Sequence, residues 1–158
     1  MPAPLFTAGA IMAFLYGIVV GSFLNVCIYR LPREESLLSP PSHCPNCNTR
    51  LRAPDLVPLF SFLALRGRCR YCGTRISWRY FTIELITGLL FTGSWIALAL
   101  LYPDQMWHLS GGLMIVFTWV WVASMLVIFM IDLDTTLVFD AVTWIAMGAG
   151  LAFELVRK

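Results

Sequence analysis

Three apolar stretches set the terms for this chain, because each is long enough to cross the hydrocarbon of a bilayer, which takes about 20 helical residues. They run over roughly 4–29, 80–101 and 109–131. A fourth, from about Phe139 to Val156, is barely long enough. Composition agrees: 59% of the residues are hydrophobic, 13% are charged, and the mean hydropathy is +0.77. A soluble domain of this size carries about a quarter charged residues, so that class is excluded. The expected fold is an all-α polytopic membrane protein. The first stretch is not a secretory signal peptide: it lacks a basic leading segment, it is too long, and no small-residue cleavage site follows it.

The apolar pattern breaks between the first and second stretches. Residues 30–79 hold nine of the ten arginines against only Glu34, Glu35 and Asp55. Arginine and lysine accumulate on the cytoplasmic side of membrane proteins. The insert is therefore expected in the cytoplasm, the N-terminus outside, and "YPDQMWH" (102–108) in a short external loop. Arg157 and Lys158 would fall outside, against the rule, and nine arginines outweigh them. The organisation read from this pattern is a first membrane helix over 1–29, a cytoplasmic insert over 30–79, and membrane helices two to four over 80–158. No internal repeat or low-complexity segment is evident.

The insert contains "CPNC" at 44–47 and "CRYC" at 69–72. Two such knuckles about twenty residues apart have the spacing of a four-cysteine zinc ribbon, in which Cys44, Cys47, Cys69 and Cys72 surround one tetrahedral ion. Gly73 suits the tight turn after the second knuckle. Two disulfides are the rival pairing, but a cytoplasmic insert lies in a reducing compartment. His43 adjoins Cys44 and is left out of the cage, and Cys27 reads as a packing residue. The ion would be structural, supplying folding energy that a small insert cannot draw from its own core. The arginines alternate with Leu, Val and Phe, so no clean cationic face for nucleic acid is present. Docking on anionic lipid headgroups or on a partner fits better.

The third stretch runs into "MIDLDTTLVFD" (130–140), with Asp132, Asp134 and Asp140 at a membrane edge. Ionisable groups in such positions are candidate functional sites. Two carboxylates acting together can take a proton from water and polarise a scissile carbonyl. The bland alternative is that Asp132 and Asp134 end one helix while Asp140 flanks the next. Residues two apart on a helix do not face each other, so Asp132 and Asp134 make a poor dyad unless the helix breaks between them. Three other polar residues stand out. Asn25 can hydrogen-bond between helices, with Gly21 and Ser22 allowing close approach. Arg30 is expected to snorkel to the headgroups, with Pro32 closing the helix. Glu84 fits the first turn of helix two, where the N-terminus favours an acid, or a polar groove near Asp132.

Taken in order, these segments resemble the type IV prepilin peptidases. "GSFLNVCIYRLP" (21–32) is similar to that family's first-helix signature, the cysteine insert to its cytoplasmic domain, and "RYFTIELITG" (79–88) to the start of its second helix. "DLDTTLVFD" (132–140) resembles the block holding its first catalytic aspartate, which falls on Asp132. The likeness runs from about Leu15 to Thr143. It implies a membrane aspartic endopeptidase that cuts the leader of type IV prepilins or pseudopilins at the cytoplasmic face of the bacterial inner membrane. It also implies N-methylation of the new N-terminus from S-adenosylmethionine. A homo-oligomer is compatible with the sequence, and nucleic acid is not an expected partner.

Three departures stand against the resemblance. Phe139-Asp140 replaces the family's Pro-Asp pair, and Cys27 stands where an aliphatic residue is commoner. The family's second catalytic aspartate lies in a Gly-x-Gly-Asp motif, which the 158 residues do not contain. The chain is therefore expected to be the N-terminal part of a longer enzyme. The alternative is a non-catalytic, membrane-anchored zinc-ribbon module that binds pilins or assembly proteins.

Overall fold

The computed structural model describes residues 3–135 and 140–157. It is helical: α1 (Ala3–Arg30), a short α2 (Phe60–Ala64), α3 (Trp78–Leu101), α4 (Leu109–Thr135) and α5 (Asp140–Arg157). Among the described residues α1, α3 and α4 are long and apolar enough to cross a membrane. The fourth apolar stretch forms α5, of 18 residues. With Asp140, Glu154 and Arg157 on it, α5 falls outside that set. Phe139, one of the departures noted above, and Lys158 lie outside the described residues.

The helix boundaries follow from local chemistry. Pro32, in a short 3-10 turn, stops α1 because it offers no amide to continue the ladder. Ser77 caps α3, its hydroxyl accepting from the Arg79 amide at 3.2 Å, which satisfies a donor the first turn leaves free. At the far end Pro103 follows the last α3 residues.

Helices α1 and α3 pack antiparallel along a stripe that repeats every fourth residue of α1: Gly9, Ala13, Gly17, Gly21 and Asn25. Residues spaced by four share one helix face, and small residues there let two backbones approach closely. A Cβ built on Gly21 would lie 2.8 Å from the Glu84 Cα, and one on Gly17 would lie 2.8 Å from the Gly88 Cα. Asn25 closes the stripe by donating from Nδ2 to the Tyr80 carbonyl at 3.1 Å, the interhelical bond its position suggested. Gly21→Ala should therefore force the helices apart and destabilise the protein by about 1–3 kcal/mol, read as a lower Tm in detergent. An unchanged Tm would mean that the two helices are not in register here.

Helix α4 joins the pair through aromatic contacts at mid-depth. Trp119 stacks on Phe91 at 4.9 Å and on Tyr16 at 5.3 Å, and its indole donates to Ser94 Oγ at 3.0 Å. Helix α5 runs back along α4: Val142 packs beside Val127 and Ile131, while Phe153 and Val156 pack beside Met114 and Ile115. Cys27 is buried among Leu24, Ile28, Ile83 and Val127, as a packing residue would be.

Candidate functional site

The insert folds as two matching loops. Cys44 N donates to the Thr49 carbonyl at 3.0 Å, and Cys69 N donates to the Thr74 carbonyl at 2.8 Å. Asn48 N returns to the Cys44 carbonyl at 2.9 Å, and Gly73 N to the Cys69 carbonyl at 3.0 Å. Each loop is closed by one antiparallel bridge, His43 with Arg50 and Arg68 with Arg75. Asn48 and Gly73 occupy the same place in the two loops, with φ of 54° and 72°. Glycine and asparagine tolerate that left-handed conformation best. The loops thus correct the expectation of no repeat. "CPNCNTR" (44–50) and "CRYCGTR" (69–75) share C-x-x-C-x-T-R, a signal seven residues long and too short to stand out before the hydrogen bonds give it meaning.

The two loops face each other. The sulfurs of Cys44, Cys47, Cys69 and Cys72 all lie within 4.8 Å of one another, and Cys44 Sγ lies 3.8 Å from Cys72 Sγ. A tetrahedron with metal–sulfur bonds of about 2.3 Å has sulfur–sulfur edges of about 3.8 Å, so the donor set and its size fit a four-thiolate metal site. All four cysteines are free thiols, and His43 turns instead toward the Pro41 carbonyl at 3.2 Å. The Cys47 thiol is lowered to about 6, first by the Thr49 hydroxyl and then by the Thr49 amide. Cys69 is lowered chiefly by the amides of Cys72 and Tyr71. Both shifts favour the thiolate, the form that binds metal, whereas Cys44 in the same cluster is pushed the other way, up to about 11.

Asp55 ties the preceding turn to the second loop. Its carboxylate accepts from Arg70 Nε at 2.5 Å, the Tyr71 hydroxyl at 2.9 Å and the Arg52 amide at 3.1 Å. Arg70 foremost holds the Asp55 carboxyl below its usual range. A lowered folded pKa stabilises above the ordinary carboxylate range and loses that effect as pH falls below it. Asp55→Ala should therefore speed amide exchange over residues 50–56 at neutral pH, with the difference from wild type shrinking below about pH 4. Equal exchange at pH 7 would show that the tie is idle.

At the same end of the bundle α4 presents its aspartates. The helix is continuous through Thr135, so Asp132 and Asp134 point away from each other and do not form a dyad. Arg79, in the first turn of α3, grips Asp134 with both guanidinium nitrogens, at 2.9 and 2.5 Å. Asp132 is exposed and has no hydrogen-bond or ion-pair partner among the described residues. Asp140 is the first residue of α5, where an acid suits the helix N-terminus.

Two expectations are corrected. Arg30 does not snorkel: it is 7% exposed and donates to the carbonyls of Ser36 at 2.7 Å and Pro40 at 2.5 Å. The segment after α1 curls back over the helix end, and its free carbonyls outcompete the headgroups. Glu84 is not in a first turn. Helix α3 starts at Trp78, which places Glu84 in the second turn, buried and accepting from the Leu59 amide at 2.8 Å. Sequence reasoning missed Arg79, Asp55 and the Leu59–Glu84 contact. Only Arg79 had a signal, as an arginine at a helix start with an unplaced acid elsewhere.

The fold and site define a multi-pass membrane protein whose one end gathers a four-thiol cage and an aspartate, Asp132, that has no partner among the described residues. The chain belongs to the family described as the bacterial peptidase A24 N-terminal domain, whose model matches residues 15–98. It is 52% identical over 88 residues to the prepilin leader peptidase/N-methyltransferase of Myxococcus xanthus (strain DK1622), covering 56% of this chain and 25% of that protein. Over 159 residues it is 36% identical to the type 4 prepilin-like proteins leader peptide-processing enzyme of Escherichia coli O78:H11 (strain H10407 / ETEC), covering 89% and 55%. The prepilin leader peptidase/N-methyltransferase of Dickeya chrysanthemi is 38% identical over 164 residues, covering 89% and 54%. The chain spans about half the length, or less, of these curated relatives. No solved structure matches the chain.

Proposed function

We propose that this chain supplies the N-terminal part of a membrane aspartic endopeptidase that removes leaders from type IV prepilins or pseudopilins. One observation carries the assignment of its carboxylate: Arg79 engages Asp134 on both nitrogens, while Asp132, two residues away, keeps an exposed carboxylate with no partner among the described residues. A carboxylate already committed to a guanidinium is a poor proton acceptor, and a free one can exchange a proton with water or with the scissile amide. Asp132 is the catalytic residue on this reading, acting with a second carboxylate.

The cysteine cage would hold structural zinc through Cys44, Cys47, Cys69 and Cys72, shaping the arginine-rich insert on the cytoplasmic side of the bacterial inner membrane. Zinc would supply folding energy there, and no bond-breaking step passes through it. N-methylation is inferred from the names of the relatives. S-adenosylmethionine would be the donor on that reading, and nothing in the lining of the groove beside the cage, bounded by Arg50, Arg52 and Tyr71, marks that groove as its site.

The test is leader cleavage by the complete protein carrying Asp132→Asn, set against Asp134→Asn. Loss in the first with retention in the second is expected. Loss in the second alone would move the catalytic role to Asp134.

A further inference from the structure

Asp55 stays tied to the second cysteine loop through Arg70 and Tyr71, but residues 56–64 leave the loops. Val19, Phe23 and Val26 of α1 line one groove together with Leu56, Val57 and Pro58. Val19 and Phe23 lie within the first membrane-spanning helix and are 57% and 50% exposed, so the described residues leave them largely uncovered. Val19 is eleven residues from the end of α1 at Arg30, about 16 Å at helical rise. The segment therefore reaches well below the level of the insert.

Its backbone is prepared for that depth. Leu59 is buried with φ of 59° and ψ of −50°, a conformation that leucine rarely adopts. Its amide is caught by the buried Glu84 carboxylate at 2.8 Å. Glu84 is five residues into α3 from Arg79, about 7–8 Å further along the helix axis than the Arg79 backbone. At such depth a free amide has no water to turn to and must be satisfied within the protein. The following helix, α2, has two faces. Phe62 packs on Trp78 at 4.9 Å and on Phe81 at 5.4 Å, whereas Phe60 and Leu63 are 61% and 56% exposed. Leu56 and Val57 are also exposed, and the exposed Arg66 and Arg68 follow α2 in the chain.

We propose that residues 56–64 form a re-entrant wedge, inserted in the bilayer leaflet on the insert's side, with Glu84 as the internal anchor of its backbone. The occupant of the exposed face is lipid: Leu56, Val57, Phe60 and Leu63 continue the lipid-facing surface of α1, and the arginines that follow lie where anionic headgroups would be. A depth of about 5–10 Å is the range in which interfacial elements bury their apolar face. The inference rests on the membrane helices and not on the peptidase reading.

The experiment is nitroxide depth measurement on the full chain in bilayer nanodiscs containing anionic lipid. The label is attached through a ketone-bearing amino acid so that the cysteines are untouched. Phe60 is expected to collide with oxygen in preference to a water-soluble nickel chelate, as a label at Phe23 does and one at Glu35 does not. A profile like that at Glu35 would overturn the wedge by placing α2 in water. Protection from both reagents would overturn it too, because protein would then cover the face. Glu84→Leu should shift the Phe60 label toward the aqueous profile while Glu84→Gln, which keeps an acceptor, holds it in place. Helical circular dichroism separates that shift from unfolding. Unchanged depth in Glu84→Leu would remove the anchor.

Discussion

Asparagine in place of Asp132 is expected to reduce leader cleavage by the complete protein at least about a thousand-fold, the scale at which a positioned acid or base contributes. The substitution is nearly isosteric and removes only the capacity to exchange a proton. Because Asp132 is exposed and has no hydrogen-bond or ion-pair partner among the described residues, expression and melting should stay at wild-type levels. Asp134→Asn is the matched control. It loses the ion pair with Arg79, but that pair is more than a third exposed on both partners, and such pairs contribute about 1 kcal/mol or less. Cleavage should survive within a few-fold. Unchanged cleavage in Asp132→Asn would remove the peptidase assignment and leave the membrane-anchored binding module.

Serine at Cys44 is expected to empty the metal site and unfold the insert while the membrane helices stay in place. The four sulfurs form one set, so losing one ligand removes most of a tetrahedral site's affinity. Structural zinc in small domains contributes about 10–16 kcal/mol of apparent binding energy, far more than an insert this small can replace. Metal analysis should fall from one ion per chain to none, and proteases should then cut between residues 44 and 75. Acid should act like the mutation, because each ligand must be a thiolate and protons compete with the ion. Cys69→Ser should match Cys44→Ser, since the two loops are built alike. Purified wild-type protein without zinc would refute the cage.

Several features were legible without a fold. The three spans follow from apolar length alone, because a helix in lipid satisfies its own backbone. The cage was visible in two C-x-x-C spacings, because each knuckle is a local turn whose geometry its own residues dictate. The poor pairing of Asp132 with Asp134 followed from helix periodicity, and the unbroken α4 bears it out. Arg30 was misread because its partners, Ser36 and Pro40, belong to an irregular segment with no periodicity to interpret. Glu84 was misread because its role depends on an amide 25 residues earlier.

The sequence by itself determined which segments cross the bilayer, where charge gathers, and which four thiols share a site, since these are properties of composition and short spacing. Only the tertiary structure decided which of Asp132 and Asp134 is engaged by an arginine. Arg79 and Asp134 are 55 residues apart, and they meet because the small-residue stripe sets the register of α1 against α3 and the aromatic contacts of Trp119 bring α4 beside both. Close packing fixes such a register through contacts summed along whole helices, and no short stretch of sequence contains that sum.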